Sequence, residues 1–289
     1  MNVLSLFDGI SCGQIALNRC GISANKYYAS EVDSHAIKVT QTNYQDTIQL
    51  GDVTKWREWD IDWSSIDLLM GGSPCQGFSF AGKQLAFDDP RSKLFFVYVD
   101  ILNYIKSVNP DVKFLLENVN MKKEFLAVIS EYLGVDPVFI NSDLVTAQSR
   151  QRLYWCNSET EIAPPKDLGI KLNDILEPGF YSTRDKSYCI DANYGKGTNF
   201  RRFFFCGSRQ LVLENGYVPS EMTKETANQV SVDDGKRWRM LTVGECERLQ
   251  TVDNGYVDSC DIPRVEKYKV LGNGWTVGVI SHIFNQLIS

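Results

Sequence analysis

Val3-Leu4-Ser5-Leu6-Phe7-Asp8-Gly9-Ile10-Ser11-Cys12-Gly13 decides the fold. Val3–Phe7 is an apolar run of strand length, and Gln14–Arg19 reads as the start of a helix. The turn between them, Phe7–Gly13, carries two glycines. Glycine lets a ligand approach the backbone, and a helix N-terminus offers unpaired N–H groups. The spacing is not that of a dinucleotide fingerprint, so no pyrophosphate is required. Taken alone, the segment describes a plain strand-to-helix turn better than a ligand site.

Outward from this turn the same alternation recurs. Tyr27–Ser30, Ile66–Met70, Phe114–Leu116 and Leu153–Cys156 read as strands. Ser34–Thr40, Leu94–Ile105 and Phe125–Leu133 read as helices. Such alternation predicts an α/β fold, Rossmann-like, with a mostly parallel sheet and helices on both faces. Ligands of such sheets sit at the carboxyl ends of the strands. Asp8-Gly9, Glu31, Asp52, Pro74-Cys75 and Glu117 each close a strand-like run, so they are expected on one rim. Residues 157–237 break the pattern with recurrent Pro, Gly and Asn and read as a loop-rich lobe. Residues 238–289 resume it and end in the apolar run Trp275–Ile288. The expected division is therefore 1–156, 157–237 and 238–289, the last returning to the first domain.

Composition narrows the class. The 289 residues, 43% hydrophobic and 23% charged, suit a globular protein with a sizeable core. No apolar run reaches the roughly 18 residues of a membrane span. Met1–Gly9 lacks a basic n-region and reads as a buried strand, so a cytoplasmic location is expected. In that compartment the eight cysteines are expected to be thiols. With no CxxC pair and only His35 and His282, no metal site is expected. The net charge of −6 speaks against nucleic acid unless a local basic patch exists.

Several positions carry chemistry. Glu31 ends a strand about twenty residues beyond the glycine turn, where an acid can accept ribose hydroxyls. Asp52, in Gly51-Asp52-Val53, could accept an adenine amino group or simply cap a helix. Gly71-Gly72-Ser73-Pro74-Cys75-Gln76-Gly77-Phe78-Ser79 delivers a cysteine into a Gly/Ser/Pro loop, unlike a structural cysteine in an apolar run. Loop N–H groups can favour its thiolate. Glu117-Asn118-Val119 places a carboxyl at a strand end, where it suits acid catalysis. Gln148-Ser149-Arg150-Gln151-Arg152 puts Gln148, Arg150 and Arg152 on one face if extended.

Together these blocks resemble the cytosine-C5 DNA methyltransferase family across essentially the whole chain. The turn Phe7–Gly13, Glu31, Asp52, Pro74-Cys75-Gln76, Glu117–Val119, Gln148–Arg152, Arg239–Gln250 and Gly272-Asn273-Gly274-Trp275 follow the family's order. Two departures stand out: Ser11-Cys12 where many bacterial relatives have glycines, and Gly274-Trp275 where many have Ser-Val. With Phe7–Ile10 and Ser30–Val32 they look closer to the animal de novo catalytic domains.

The resemblance implies transfer of a methyl group from S-adenosyl-L-methionine to C5 of a flipped-out cytosine in double-stranded DNA. It implies Cys75 as nucleophile at C6, Glu117 on N3 and the 4-amino group, and Arg150 on the base O2. It implies cofactor contacts by Phe7, Asp8, Gly9, Ile10, Gly13, Glu31, Val32, Asp52, Val53, Pro74, Leu94, Asn273 and Trp275. DNA contacts are expected from Gln76, Ser79, Arg152, Lys196, Arg201 and Arg202. The family's target-recognition region falls at 157–237, where Arg184, Lys186, Lys196, Arg201, Arg202 and Arg209 interleave with aromatics. Restriction-modification is the expected setting, and no protein partner is indicated. A tRNA cytosine methyltransferase and a catalytically silent paralogue are the competing readings. Gly77–Gly82 looks more like the DNA enzymes, and intact Cys75, Glu117 and Arg150 oppose silence.

Overall fold

A computed structural model describes residues 1–74, 93–197, 207, 209–216 and 237–288. They fall into two compact units. The first comprises 1–140, 151–165 and 279–289, and the second 141–150 and 166–278.

The first unit is built on a seven-stranded sheet. In chain order its strands are β1 (Asn2–Leu6), β2 (Lys26–Ser30), β3 (Ile48–Gln49), β4 (Ile66–Gly71), β5 (Lys113–Val119), β6 (Val138–Asn141) and β7 (Gln151–Cys156). Their spatial order is β3-β2-β1-β4-β5-β7-β6. β1 pairs in parallel with both β2 and β4, β4 in parallel with β5, and β7 runs antiparallel to β5. The expected α/β architecture is present. The helices are α1 (Cys12–Arg19), α2 (Ser34–Asn43), α3 (Lys93–Val108) and α4 (Lys123–Leu133).

Local chemistry sets the boundaries. Asp33 caps α2 by accepting from the His35 backbone N–H at 2.9 Å. Gly134 closes α4 in the left-handed region at φ 74°. Leu4, Leu6, Leu69, Phe114, Leu116 and Trp155 of the sheet form one core with Tyr98, Ile101 and Ile105 of α3. That core fixes α3 under β1, β4 and β5 and so fixes where their carboxyl ends emerge. The order of connection reverses between β1 and β4, which makes the crevice above them the place for a ligand.

The second unit carries a three-stranded antiparallel sheet in the order β10-β9-β8. Its strands are β8 (Phe180–Tyr181), β9 (Leu211–Glu214) and β10 (Trp238–Met240). Leu211, Leu213 and Trp238 form its small core. Helices α5 (Val243–Leu249) and α6 (Arg264–Asn273) belong to the same unit. The buried Tyr194 hydroxyl donates to the Gln210 carbonyl at 2.6 Å and accepts the Leu241 N–H at 2.9 Å. These bonds bind the segment after β10 to the lobe. Residues 279–289, which include most of helix α7 (Val277–Leu287), belong to the first unit. No helix among the described residues is long and apolar enough to cross a membrane.

Candidate active site

The turn after β1 begins the site. Phe7 has φ 57° and Gly9 φ 60°, and no described residue other than its chain neighbours comes within 4 Å of the place a Gly9 Cβ would occupy. The backbone there is open to a ligand. Ile10 is fully buried, and Gly13 is packed so closely that a Cβ would collide with the Met70 thioether. These two shape the turn from beneath.

Glu31 follows β2 and faces the turn. Its Oε2 accepts the Gly9 N–H at 2.8 Å, and its Oε1 accepts Val32 N–H at 2.7 Å and Asp33 N–H at 2.8 Å. Oε1 thus has both lone pairs engaged, while Oε2, with one bond, can accept another from a ligand hydroxyl. Val32 is 72% exposed, an apolar side chain held beside that carboxylate. Asp52 follows β3 and caps the short helix Val53–Glu58, accepting both Thr54 N–H at 2.9 Å and Thr54 Oγ at 2.8 Å through Oδ1. Those bonds hold its carboxyl below the usual range. The cap anticipated from sequence is therefore present, and Oδ2 takes neither of these bonds. The Val53 side chain is buried in the core, so only its backbone can serve a ligand. Pro74 is half-buried at the root of the next loop, and Leu94, near the start of α3, packs half-buried against the core.

Cys75, Gln76 and Ser79 lie outside the described residues, whereas Ser73 and Pro74, just before them in the sequence, lie within. Ser73 is buried and accepts from Asn118 Nδ2 through its carbonyl at 3.3 Å. Asn118 Oδ1 in turn takes the Val119 N–H at 2.8 Å. A Cβ on Gly71 would come within 2.9 Å of the Leu6 carbonyl and 3.3 Å of the Tyr98 ring, so β4 must end in glycine to leave the core at this point. β5 runs on through Glu117 to Val119 rather than ending before it. Glu117 Oε1 pairs with Arg152 Nε at 2.8 Å, and both side chains are nearly buried. The pair is diagonal across the β5–β7 ladder, where Glu117 faces Tyr154 and Val119 faces Arg152.

Within the second unit Arg150 is buried, at 4% exposure. Nη1 donates to the Ile190 carbonyl at 3.1 Å and Cys189 Sγ at 3.2 Å. Nη2 donates to the Gly272 carbonyl at 3.2 Å and the Gly274 carbonyl at 2.9 Å. Gln148 is buried beside it, accepting the Ile190 N–H at 2.7 Å and donating to Gln250 Oε1 at 3.2 Å. Asn273, the last residue of α6, is exposed and Trp275 half-buried. A Cβ on Gly272 would collide with the Asp191–Ala192 backbone.

The basic lobe divides. Lys186 is internal: its ammonium donates to the carbonyls of Asp143 at 2.5 Å, Ile170 at 2.7 Å and Thr146 at 3.0 Å. Arg184 stacks over Tyr188 at 3.9 Å, and Arg209 donates to the Gly197 carbonyl at 2.6 Å. Lys196 is exposed on a short turn, Tyr194–Lys196. Arg201 and Arg202 lie outside the described residues. Reading by residue type had missed Asn118 and Ser73, although both lie within the motif blocks quoted for their neighbours.

The C-5 cytosine-specific DNA methylase family model matches residues 1–156 and 166–289. The chain belongs to this family. Its activity is methyl transfer to cytosine in DNA, which requires a methyl donor. Among relatives of this DNA methylase, the type II methyltransferase M1.ScrFI of Lactococcus lactis subsp. cremoris is 29% identical over 318 residues, covering 99% of this chain and 77% of its own. The type II methyltransferase M.NlaX of Neisseria lactamica is 28% identical, covering 99% and 95%. The solved Entamoeba histolytica methyltransferase EhMeth shares the fold with TM-score 0.77 at 18% identity, covering 100% of this chain and 98% of its own. The described cysteines Cys12, Cys20, Cys156, Cys189, Cys246 and Cys260 are free thiols.

Proposed function

We propose that this DNA methylase takes its methyl group from S-adenosyl-L-methionine and delivers it to a cytosine flipped out of duplex DNA, through a covalent bond between Cys75 and C6. The carrying observation is the Glu117–Arg152 pair beside the Asn118–Ser73 tether, Ser73 standing just before Cys75 in the sequence. The donor's proposed place is the rim of β1, β2 and β3. There the open Gly9 backbone, the Glu31 carboxylate and Asp52 Oδ2 fit a nucleoside with hydroxyls and an amino group. When bound, the donor supplies an electrophilic sulfonium methyl.

The chain's own residues do the rest. The Cys75 thiolate adds to C6, and the displaced electron pair makes C5 nucleophilic. Glu117 holds N3 and the 4-amino group as charge develops. After methylation a base removes the C5 proton, the S–C6 bond breaks, and Cys75 leaves as thiolate. Stacked cytosine is out of reach, so flipping must precede attack. Between the two arginines, Arg152 is the one proposed for the base O2, because it stands against Glu117. All four terminal N–H bonds of Arg150 already have acceptors, so its proposed role is to anchor the Gly272–Gly274 turn. Phe7 and Leu94 of the first unit remain proposed donor contacts. The relatives' names support a restriction-modification setting, and a cytoplasmic location goes with it.

Duplex DNA carrying 5-fluorocytosine tests the chemistry. Fluorine cannot leave as a proton does, so the enzyme should be trapped, with the adduct on Cys75 by mass spectrometry. Cys75→Ala should bind the donor and give no adduct. Undiminished methylation by that variant would remove Cys75 from the mechanism.

A further inference from the structure

We propose that Asp8 is a positioning residue for the methyl donor, clamping Ser11 in the left-handed backbone conformation from which α1 begins. The inference rests on the reading that the Phe7–Gly13 turn binds the donor. Ser11 keeps a glycine-like backbone, φ 56° and ψ 39°. That region is disfavoured for any residue with a Cβ. Ser11 is fully buried, and its carbonyl accepts the Gln14 N–H at 3.0 Å and the Ile15 N–H at 3.2 Å, the first bonds of the helix. Its conformation therefore sets the direction of α1 and the aim of the open Gly9 backbone.

Asp8 supplies the restraint. Its Oδ2 accepts the Ser11 hydroxyl, and its backbone carbonyl accepts the Ser11 N–H at 3.1 Å. Its Oδ1 accepts the Tyr27 hydroxyl at 2.8 Å. One carboxyl thus ties the turn to α1 and to β2 at once. The Ser11 hydroxyl also lies 3.1 Å from Thr40 Oγ1 of α2, whose hydroxyl reaches the Gly9 carbonyl at 3.4 Å. Ser11 gives its helix no side-chain cap bond, so its hydroxyl is committed to this brace instead.

Asp8 is half-buried, and a carboxylate withdrawn from water persists where its bonds compensate. Burial is the main reason the Asp8 carboxyl is pushed up to about 6, and the neighbouring Glu31 charge adds to it, against lowering by bonds from Ser11, Ser5 and Tyr27. Glu31 is the charged group facing it, and Tyr27 the other titratable one. Below about pH 6 the carboxyl gains a proton, one oxygen becomes a donor, and the charge-assisted bonds weaken. Donor affinity should therefore fall as pH drops through about 6.

Calorimetry with S-adenosyl-L-methionine tests the clamp. Asp8→Ala should bind roughly ten- to hundredfold more weakly, the effect of losing a charge-assisted bond. Adding Ser11→Gly to that variant should recover most of the loss, because glycine holds the same backbone without a brace. A folded double variant that recovers nothing would make Asp8 a direct ligand and overturn the clamp. If Asp8→Ala does not fold, Asp8→Asn keeps the shape without titrating. It should then lack the fall in affinity through pH 6 that the wild type shows, and a step as large as wild type's would overturn the proposal. Wild type that fails to bind at neutral pH sinks the donor reading itself. Wild type that binds, with Asp8→Ala binding equally well, sinks only the clamp.

Discussion

Arg150 and Arg152 are two positions apart in one sequence block, and their surroundings give them different work. Arg150 spends its guanidinium on three carbonyls and a thiol inside its unit, so removing it strands buried acceptors. Arg150→Met should lower stability by about 3 kcal/mol or more, read from denaturant unfolding. Arg152→Lys keeps a charge near Glu117 but loses the planar fork. It should cut kcat by roughly ten- to hundredfold, about 1.4 to 2.7 kcal/mol, with little change in unfolding midpoint. A stability loss in Arg152→Lys with unchanged kcat would reverse the two assignments. The block itself was legible, because its residue types are rare at that spacing. The division of labour was not, since extended spacing puts both arginines on one face. Only the register of β7 against β5 brings Arg152 to Glu117. Asn118 was hidden for a similar reason: an amide beside a catalytic acid draws no attention until its partner Ser73, 45 residues away, is seen.

Among the elements, α5 shows how a buried charge can serve stability. Thr242 caps it, and Glu245 returns the bond to the Thr242 N–H at 2.7 Å, completing a capping box. Glu245 is fully buried and also binds Arg239 through both oxygens at 2.7 and 2.8 Å. Burial pushes its carboxyl up, but the Arg239 bonds and the Glu177 and Thr242 N–H groups outweigh it, so the net shift is downward. A carboxyl lowered in the folded state adds stability above its unfolded pKa and loses it as pH falls through the folded value. Glu245→Gln should therefore be less stable than wild type near neutrality, and the gap should close in acid unfolding below about pH 4.5. A gap that stays constant with pH would deny the ion pair its part. Long apolar strands such as β1, β4 and β5 announce themselves in sequence. β3 and β8, two residues each, are too short to show a period, and β9 and β10 are separated by 23 residues of chain, so the lobe read as loops.

For the whole molecule the question is how a chain of net charge −6 holds a polyanion. Composition suggested a basic surface between 184 and 209, but a positive side chain counts toward phosphate binding only if it can release a counterion. Lys186 does not meet that condition, because its ammonium is already held by three backbone carbonyls. Lys196 does, being exposed on its turn. The two lysines should therefore separate in one experiment. Lys186→Met should lower the unfolding midpoint, because three carbonyls lose their donor, while the salt slope of DNA binding stays as in wild type. Lys196→Ala should leave the midpoint in place, weaken DNA binding for every sequence alike, and reduce the slope of log affinity against log salt by about 0.9. An altered methylated motif in Lys196→Ala would instead make it a reader of base edges, since phosphate contacts position the protein without specifying sequence. Genome-wide methylation of Arg201→Ala and Arg202→Ala in the same assay supplies the contrast: a base-reading arginine, once removed, should relax the motif at a single position.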